Sequence, residues 1–316
     1  MRRAASPIIS LLLLAGATLS PAQQGGPRID VVFLLDATGS MGDEIAVVKE
    51  KIREMISEIA LGSPAPDVRF GLVAYRDRED EYVTRVYPLT RDIDQTIDDL
   101  HQIEAGGGGD YPESLNEALH VAVHQIDWDE DAAASRLVFL IADAPPHLDY
   151  PQDYDYRDES RIAASRDIVV HAIGASGLDE LGEEIYREIS LETDGQFQWL
   201  AYETRYLDGD GEEVVVRVEG REATCTRGDS TWEAGDGFVP GGISVGLGRS
   251  DFMDGPGVAT AEAGGPASDV TTTTNLDDLI TSAIKDAAEE SGVEYVPDPT
   301  AIESVSWGQA KARIAR

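Results

Sequence analysis

The first patterned segment of the chain is a run of apolar side chains at residues 29–35, interrupted only by Asp30. Continuous apolar runs of this length, rich in β-branched residues, are typical of a strand buried on both faces of a parallel sheet. The run ends at Asp36. Residues 43–61 then carry apolar side chains at steps of three and four, which predicts an amphipathic helix packed on that sheet.

Strand-like and helix-like segments continue to alternate as far as residue 201. We predict strands at residues 69–75, 82–89, 136–142, 168–173 and 196–201, and helices at residues 92–104, 114–127, 159–166 and 178–191. Such alternation predicts an α/β domain with a doubly wound, mostly parallel sheet and helices on both faces. The turn at residues 76–81 is too short for a parallel crossover, so we expect one antiparallel edge strand.

The alternation breaks at residues 203–270, where glycine, acidic residues and threonine dominate. We expect a long, loop-rich insertion there, with a local hairpin that includes the β-rich residues 214–218. Helical periodicity returns at residues 275–290, with Asn275 as a candidate N-terminal cap. The pattern therefore predicts one domain over residues 28–292, interrupted by the insertion before its last helix.

The two ends of the chain differ from the domain. Residues 1–22 combine two arginines, an apolar stretch at 8–17 and a small-x-small site, which predicts a cleaved signal peptide and export. The alternative, an uncleaved anchor, needs ~20 apolar residues to cross a membrane, and this stretch is shorter. We expect no membrane span after cleavage and a secreted or periplasmic location, with residues 293–316 as a disordered tail.

Charge and cysteine content narrow the classes of partner. The chain has 60 acidic and 25 basic residues, a formal net charge of -35, which argues against nucleic acid as a partner. Its single cysteine, Cys225, cannot form an internal disulfide. We therefore expect the exported fold to depend on its apolar core and on bound metal.

Candidate chemistry begins where the first strand ends. Asp36, Thr38 and Ser40 place three oxygen side chains at alternate positions between this strand and the following helix. Open α/β sheets bind their ligands at this edge, and hard divalent ions prefer oxygen ligands. The alternative is that Asp36 and Ser40 only cap the helix.

Two further loops favour the metal interpretation. Asp110 follows four glycines at residues 106–109, and Asp143 directly follows the strand at residues 136–142. Parallel strands end at one edge of the sheet, so Asp143 is expected to emerge beside Asp36. The three loops together predict a divalent-ion site.

These segments resemble a von Willebrand factor type A domain, especially its hemicentin-like branch. The motifs are Asp-Ala-Thr-Gly-Ser-Met at residues 36–41, Gly-Gly-Gly-Asp-Tyr-Pro-Glu at 107–113 and Ile-Ala-Asp-Ala-Pro-Pro-His at 141–147. The resemblance implies a metal-ion-dependent adhesion site that holds Mg²⁺, with Mn²⁺ or Ca²⁺ as alternatives. A carboxylate from a protein partner would complete the coordination. The ligands implied are Asp36, Thr38, Ser40, Asp110 and Asp143.

One residue departs from the pattern of that family. Many members carry threonine where this chain has Asp110. A third carboxylate near the ion is expected to raise metal affinity and to lower the positive charge left for an acidic partner.

Two other groups of side chains indicate a function less specifically than these motifs do. The loop at residues 147–156 is rich in tyrosine and aspartate, and forms either a partner-contacting rim or a merely solvated loop. His120 and His124 lie one helical turn apart and could bind a metal only with a third ligand that the sequence does not identify.

Three classes of function are compatible with these features. A non-enzymatic, exported binding or adhesion protein is favoured, because no nucleophile-base pair, phosphate loop or cofactor fingerprint is visible. The alternatives are a metal-assisted hydrolase that uses the same carboxylates, and a scaffold or assembly subunit that uses the domain for packing. The insertion is expected to leave and rejoin the domain at the metal-bearing edge, where it would influence which partners reach the ion.

Overall fold

The computed structural model describes residues 26–207, 211–234, 271–290 and 292–297. The predicted signal peptide at residues 1–22 lies outside the described residues. So do residues 235–270 of the predicted insertion and most of the predicted tail, and the expectations for these segments stay predictions.

A six-stranded sheet forms the centre of the fold, in the order β3-β2-β1-β4-β5-β6. All neighbouring pairs are parallel except β2 and β3. The predicted α/β class with one antiparallel edge strand is therefore confirmed. The strands are β1 (Arg28–Asp36), β2 (Asp67–Tyr75), β3 (Thr84–Thr90), β4 (Ala134–Ala142), β5 (Ile168–Gly174) and β6 (Phe197–Trp199).

Helices cover both faces of this sheet because side chains alternate along its central strands. Phe33 of β1 is buried in one apolar cluster with side chains of α1, α2 and α6, and Leu34 is buried in a second cluster with side chains of α3, α4 and α5. The helices are α1 (Gly42–Ala60), α2 (Ile93–His101), α3 (Leu115–His124), α4 (Tyr156–Ser165), α5 (Glu180–Glu192) and α6 (Leu276–Glu290).

The hairpin predicted to include residues 214–218 is confirmed, but the described part of the insertion is a second sheet and not mainly loop. This sheet has five antiparallel strands in the order β10-β9-β8-β7-β11. Alternate valines of β8 are buried in the same cluster as α1 and α6, which explains why the segment forms strands. The strands are β7 (Ala201–Leu207), β8 (Glu213–Glu219), β9 (Glu222–Arg227), β10 (Ser230–Ala234) and β11 (Thr271–Thr274).

The strand predicted at residues 196–201 is present but shorter, since β6 ends at Trp199 and Ala201 already starts β7 in the second sheet. Asn275 holds this junction: its amide donates to the Trp199 carbonyl and its side-chain oxygen accepts from the Ala201 N–H, both at 2.9 Å. Asn275 stands directly before α6, as expected of a cap, but its side chain joins the end of β6 to the start of β7. Because β6 runs parallel to β5, the chain leaves and rejoins at the carboxyl edge of the main sheet.

Within the described ranges, no helix is both long and apolar enough to cross a membrane.

Candidate metal-binding site

The site is built on the loop that follows β1. Oδ1 of Asp36 accepts hydrogen bonds from the Thr38 N–H at 2.9 Å and from the Thr38 hydroxyl at 2.7 Å. The hydroxyl oxygens of Thr38 and Ser40 lie 3.2 Å apart. Asp36 and Thr38 are fully buried, whereas Ser40 is exposed. The three oxygen side chains thus converge, and the site opens to solvent on the Ser40 side.

Asp143 enters the site from the neighbouring strand. β1 and β4 are paired so that Leu35 lies beside Ile141, which brings the residues after both strands to one edge of the sheet. Burial, and then the charge of Asp143, raise the pKa of Asp36 well above its usual value. Burial likewise raises the pKa of Asp143 to about 6, although a hydrogen bond from Ser40 opposes the shift. Both carboxylates therefore lie where negative charge is poorly solvated.

The glycine-rich loop packs directly against the Asp36 loop. The Gly106 N–H donates to the Ala37 carbonyl and the Gly39 N–H donates to the Gly107 carbonyl, at 3.0 and 3.1 Å. Gly108 has a φ of +72°, and a Cβ there would lie 2.6 Å from Glu113 Oε1 and 3.0 Å from Thr38 Cβ. A side chain at this position would therefore collide with the site.

Glu113 is a site residue that sequence reasoning missed. Its side chain is buried, and burial followed by the charges of Asp36, Asp77 and Asp143 raises its pKa to about 9. The sequence contained one signal for this residue: Glu113 ends the glycine-rich motif, three residues after Asp110. Glu113 thus adds a third buried carboxylate to those of Asp36 and Asp143.

Asp110 lies in a different environment. It is exposed, and no hydrogen bond between it and the Asp36 loop is found among the described residues. Its carboxylate and ligand atoms of Asp77 and His147 lie within 4.8 Å of one another. Asp77 is buried and accepts a hydrogen bond from the Ser114 hydroxyl at 2.7 Å. The predicted turn at residues 76–81 therefore places a carboxylate beside the site. Direct ligation by Asp110 stays a prediction.

Three carboxylate oxygens at the site lack hydrogen-bond partners among the described residues: Asp36 Oδ2, Asp143 Oδ1 and Glu113 Oε2. Burying a carboxylate oxygen without a donor or a cation is unfavourable. Carboxylate and hydroxyl oxygens are also the ligands that Mg²⁺ and Ca²⁺ prefer. The donor set therefore fits a hard divalent cation.

The loop after Asp143 provides exposed apolar surface near the site. Leu148 is 56% exposed and Tyr154 39% exposed, and Tyr111 of the glycine-rich loop is 47% exposed. Tyr150 stacks on His147, with ring centroids 3.8 Å apart. Tyr156, which the sequence grouped with this rim, is instead buried at the start of α4.

An α/β sheet with buried carboxylates at its carboxyl edge defines a class of ligand-binding domain. The family within this class is identified by comparison with known proteins. The family model of the von Willebrand factor type A domain matches residues 30–204. The chain belongs to this family, and the resemblance drawn from the three motifs is confirmed.

Curated relatives include von Willebrand factor A domain-containing protein 7 of Homo sapiens, 34% identical over 38% of this chain and 12% of that protein. Alpha-protein kinase vwkA of Dictyostelium discoideum is 28% identical over 38% of this chain and 19% of that protein. Hemicentin-1 of Mus musculus is 25% identical over 52% of this chain and 3% of that protein. The matches therefore span at most a fifth of these relatives.

Similar solved structures include proximal thread matrix protein 1 from the mussel byssus with a zinc-occupied MIDAS motif. Its TM-score is 0.45 at 16% identity, over 55% of this chain and 42% of that one. BatB from Bacteroides thetaiotaomicron has a TM-score of 0.39 at 16% identity, over 55% of this chain and 90% of that one.

Proposed function

We propose that the chain binds a divalent cation through Asp36, Thr38, Ser40 and Asp143, with Glu113 as the carboxylate of the glycine-rich loop. The observation that carries this proposal is the set of three buried carboxylate oxygens, from three separate loops, that have no hydrogen-bond partner among the described residues. A cation would neutralise charge that the fold otherwise buries at a cost. Asp110 would act at the outer side of the site, through water or through Asp77.

Mg²⁺ is the proposed ion, with Mn²⁺ and Ca²⁺ as alternatives. The donors are carboxylate and hydroxyl oxygens, and thiolate or imidazole ligands, which favour softer metals, are not part of the set. Neutral hydroxyls from Thr38 and Ser40 limit the negative charge to the carboxylates. Three ionised carboxylates carry one negative charge more than a divalent ion can neutralise, so a partner carboxylate would be held by direct coordination to the ion and not by long-range attraction.

The function we propose is non-enzymatic binding of a protein partner through this ion. Ser40 is the exposed member of the set, so a partner side chain, such as a carboxylate, can approach the ion from that side. The exposed Tyr111, Leu148 and Tyr154 would supply apolar contact around it. Export to a secreted or periplasmic location follows from the predicted signal peptide.

The second sheet is proposed to influence partner choice. It begins at Ala201 and ends beside Asn275, at the same edge of the main sheet as the carboxylates. Variable segments at the ligand-binding edge of a rigid scaffold commonly determine specificity.

Metal-dependent capture tests this function. The immobilised full chain is exposed to extracellular protein extracts with Mg²⁺, with chelator, and with chelator followed by excess Mg²⁺. We expect specific partners to bind only with Mg²⁺, to be absent for Asp36→Asn, and to be retained by Asp98→Asn, which changes an exposed aspartate of α2. Capture that is unchanged by chelator and by Asp36→Asn would show that the domain binds without the ion.

A further inference from the structure

A second cluster of ligating side chains lies between α3 and α4. His120 and His124 are one turn apart on α3, and Glu159 of α4 faces them. His120 Nδ1 lies 3.1 Å from Glu159 Oε1, and His124 Nε2 lies 2.9 Å from Glu159 Oε2. Ligand atoms of all three residues lie within 4.8 Å of one another. Glu159 is the third ligand that the histidine pair requires.

We propose that these three residues form a second metal site, for Zn²⁺ or a similar first-row transition ion. Two imidazoles and one carboxylate are ligands typical of zinc and not of Mg²⁺ or Ca²⁺. Bonds of 2.0–2.1 Å in a tetrahedral site place neighbouring ligand atoms ~3.3 Å apart, which is close to the two nitrogen–oxygen distances in the cluster. The two nitrogens approach different oxygens of Glu159, so the carboxylate would bind the ion through both oxygens or rotate to present one of them.

The ligands are held in place before any ion binds. The helix sets the spacing of the two imidazoles, whose ring centroids are 4.4 Å apart. The His120 ring also stacks on Tyr154 at 3.6 Å, and Glu159 is buried against α3. Side chains that are already ordered lose little entropy when they coordinate a metal.

One side of the cluster is open. The His124 side chain is 35% exposed and that of His120 is 20% exposed, whereas the Glu159 side chain is 6% exposed. Three protein ligands from one side leave the fourth position to water or to a side chain of a partner. The proposed site is thus accessible to ions from solvent.

The cluster is separate from the Asp36 site. Both histidines lie on α3, and Glu113 lies two residues before the start of this helix. At 1.5 Å per residue, His120 and His124 are ~10 and ~16 Å along the helix from Glu113. Tyr154, which stacks on His120, belongs to the exposed loop beside the Asp36 site. A bound ion would therefore fix α3, α4 and this loop relative to one another.

Zinc titration of the full-length mature chain tests the proposal. Asp36→Asn is introduced first, so that the oxygen site does not compete for Zn²⁺. We expect calorimetry to show one equivalent of Zn²⁺, with at least ~10-fold weaker binding after His124→Gln is added, since even outer-shell changes cost that much. His101→Gln, which changes an exposed histidine of α2, is the matched control and should leave Zn²⁺ affinity unchanged.

Cobalt spectroscopy gives a second measurement that needs no histidine variant. The Asp36→Asn protein with one equivalent of Co²⁺ should show the intense visible bands of four-coordinate cobalt, and one equivalent of Zn²⁺ should remove them. Absence of Zn²⁺ binding, equal affinity with and without His124→Gln, or only the weak bands of six-coordinate Co²⁺ would show that the cluster is a hydrogen-bonded network without a metal.

Discussion

Asp36 and Thr38 are joined by two hydrogen bonds, since one carboxylate oxygen of Asp36 accepts from both the N–H and the hydroxyl of Thr38. The other oxygen, Oδ2, has no hydrogen-bond partner among the described residues. One oxygen therefore holds the loop in shape, and the other remains available to a cation.

Replacing Asp36 by asparagine should separate these two roles. Asn can still accept from Thr38, but it cannot supply a second anionic oxygen, so we expect Mg²⁺ or Mn²⁺ affinity to fall by at least ~10-fold. The metal-free variant should be at least as stable as the parent, because the repulsion between Asp36 and Asp143 is removed. Calorimetry and thermal unfolding in chelator measure both effects. An unchanged metal affinity would refute the site.

The glycine-rich loop contains two candidate carboxylates that a pair of variants can distinguish. Glu113 is buried beside Thr38, whereas Asp110 is exposed. We expect Glu113→Gln to weaken Mg²⁺ binding by at least ~10-fold and Asp110→Asn to weaken it by a smaller factor. Calorimetry at one pH compares the two variants. If Asp110→Asn weakens Mg²⁺ binding more than Glu113→Gln does, Asp110 and not Glu113 is the ligand from this loop.

The stability of the metal-free protein should depend on pH through Glu113. The folded state raises its pKa to about 9 from an ordinary 4.5, so the folded protein retains a proton that the unfolded chain loses. This contribution to stability is complete below pH 4.5, decreases as the pH rises, and levels off near pH 9. The slope is at most ~1.4 kcal/mol per pH unit.

Urea unfolding in chelator, at several pH values, measures this effect. Between pH 4.5 and 9, the wild type should lose more stability than Glu113→Gln, and Mg²⁺ should oppose the loss in the wild type. Parallel pH profiles for the two proteins would mean that Glu113 ionises normally.

Asn275 should contribute to stability through its two hydrogen bonds to the junction of the sheets. Alanine leaves the Ala201 N–H and the Trp199 carbonyl without these partners, at a cost of ~1–3 kcal/mol in the free energy of unfolding. Gln125→Ala, which removes an exposed amide, should change this free energy by less than ~0.5 kcal/mol. Equal effects of the two substitutions would show that Asn275 does not hold the junction.

The second sheet should behave as part of the folded core. Val216 of β8 is buried with side chains of α6, so Val216→Ala should lower the free energy of unfolding by ~1–2 kcal/mol. Val215, on the opposite and less buried side of the strand, is the matched control. Denaturant unfolding should show a smaller loss for Val215→Ala. If neither substitution changes the free energy of unfolding, the second sheet folds independently of the main one.

Several features could be predicted because they depend on short-range patterns. An apolar run predicts a buried strand, and parallel strands end at one edge, so Asp36 and Asp143 could be placed together without coordinates. The same topology correctly predicted that the insertion leaves and rejoins the domain at that edge. By contrast, the strand content of residues 203–234 is only partly predictable: the β-rich residues 214–218 lie in β8 of the expected hairpin, but the polar, threonine-containing strands β9 and β10 show no apolar alternation.

The sequence by itself determined the order of strands and helices of the main sheet, and the loops that carry oxygen ligands, because the hydrophobic period is a local property of the chain. Only the tertiary structure decided which side chains meet. The absence of a side chain at Gly108 leaves room for Glu113 and Thr38 on its two sides, and the packing of α3 on α4 brings Glu159 to the histidine pair. The contacts of Glu159 join residues 35 and 39 positions apart, and their geometry depends on helix packing that no local pattern specifies.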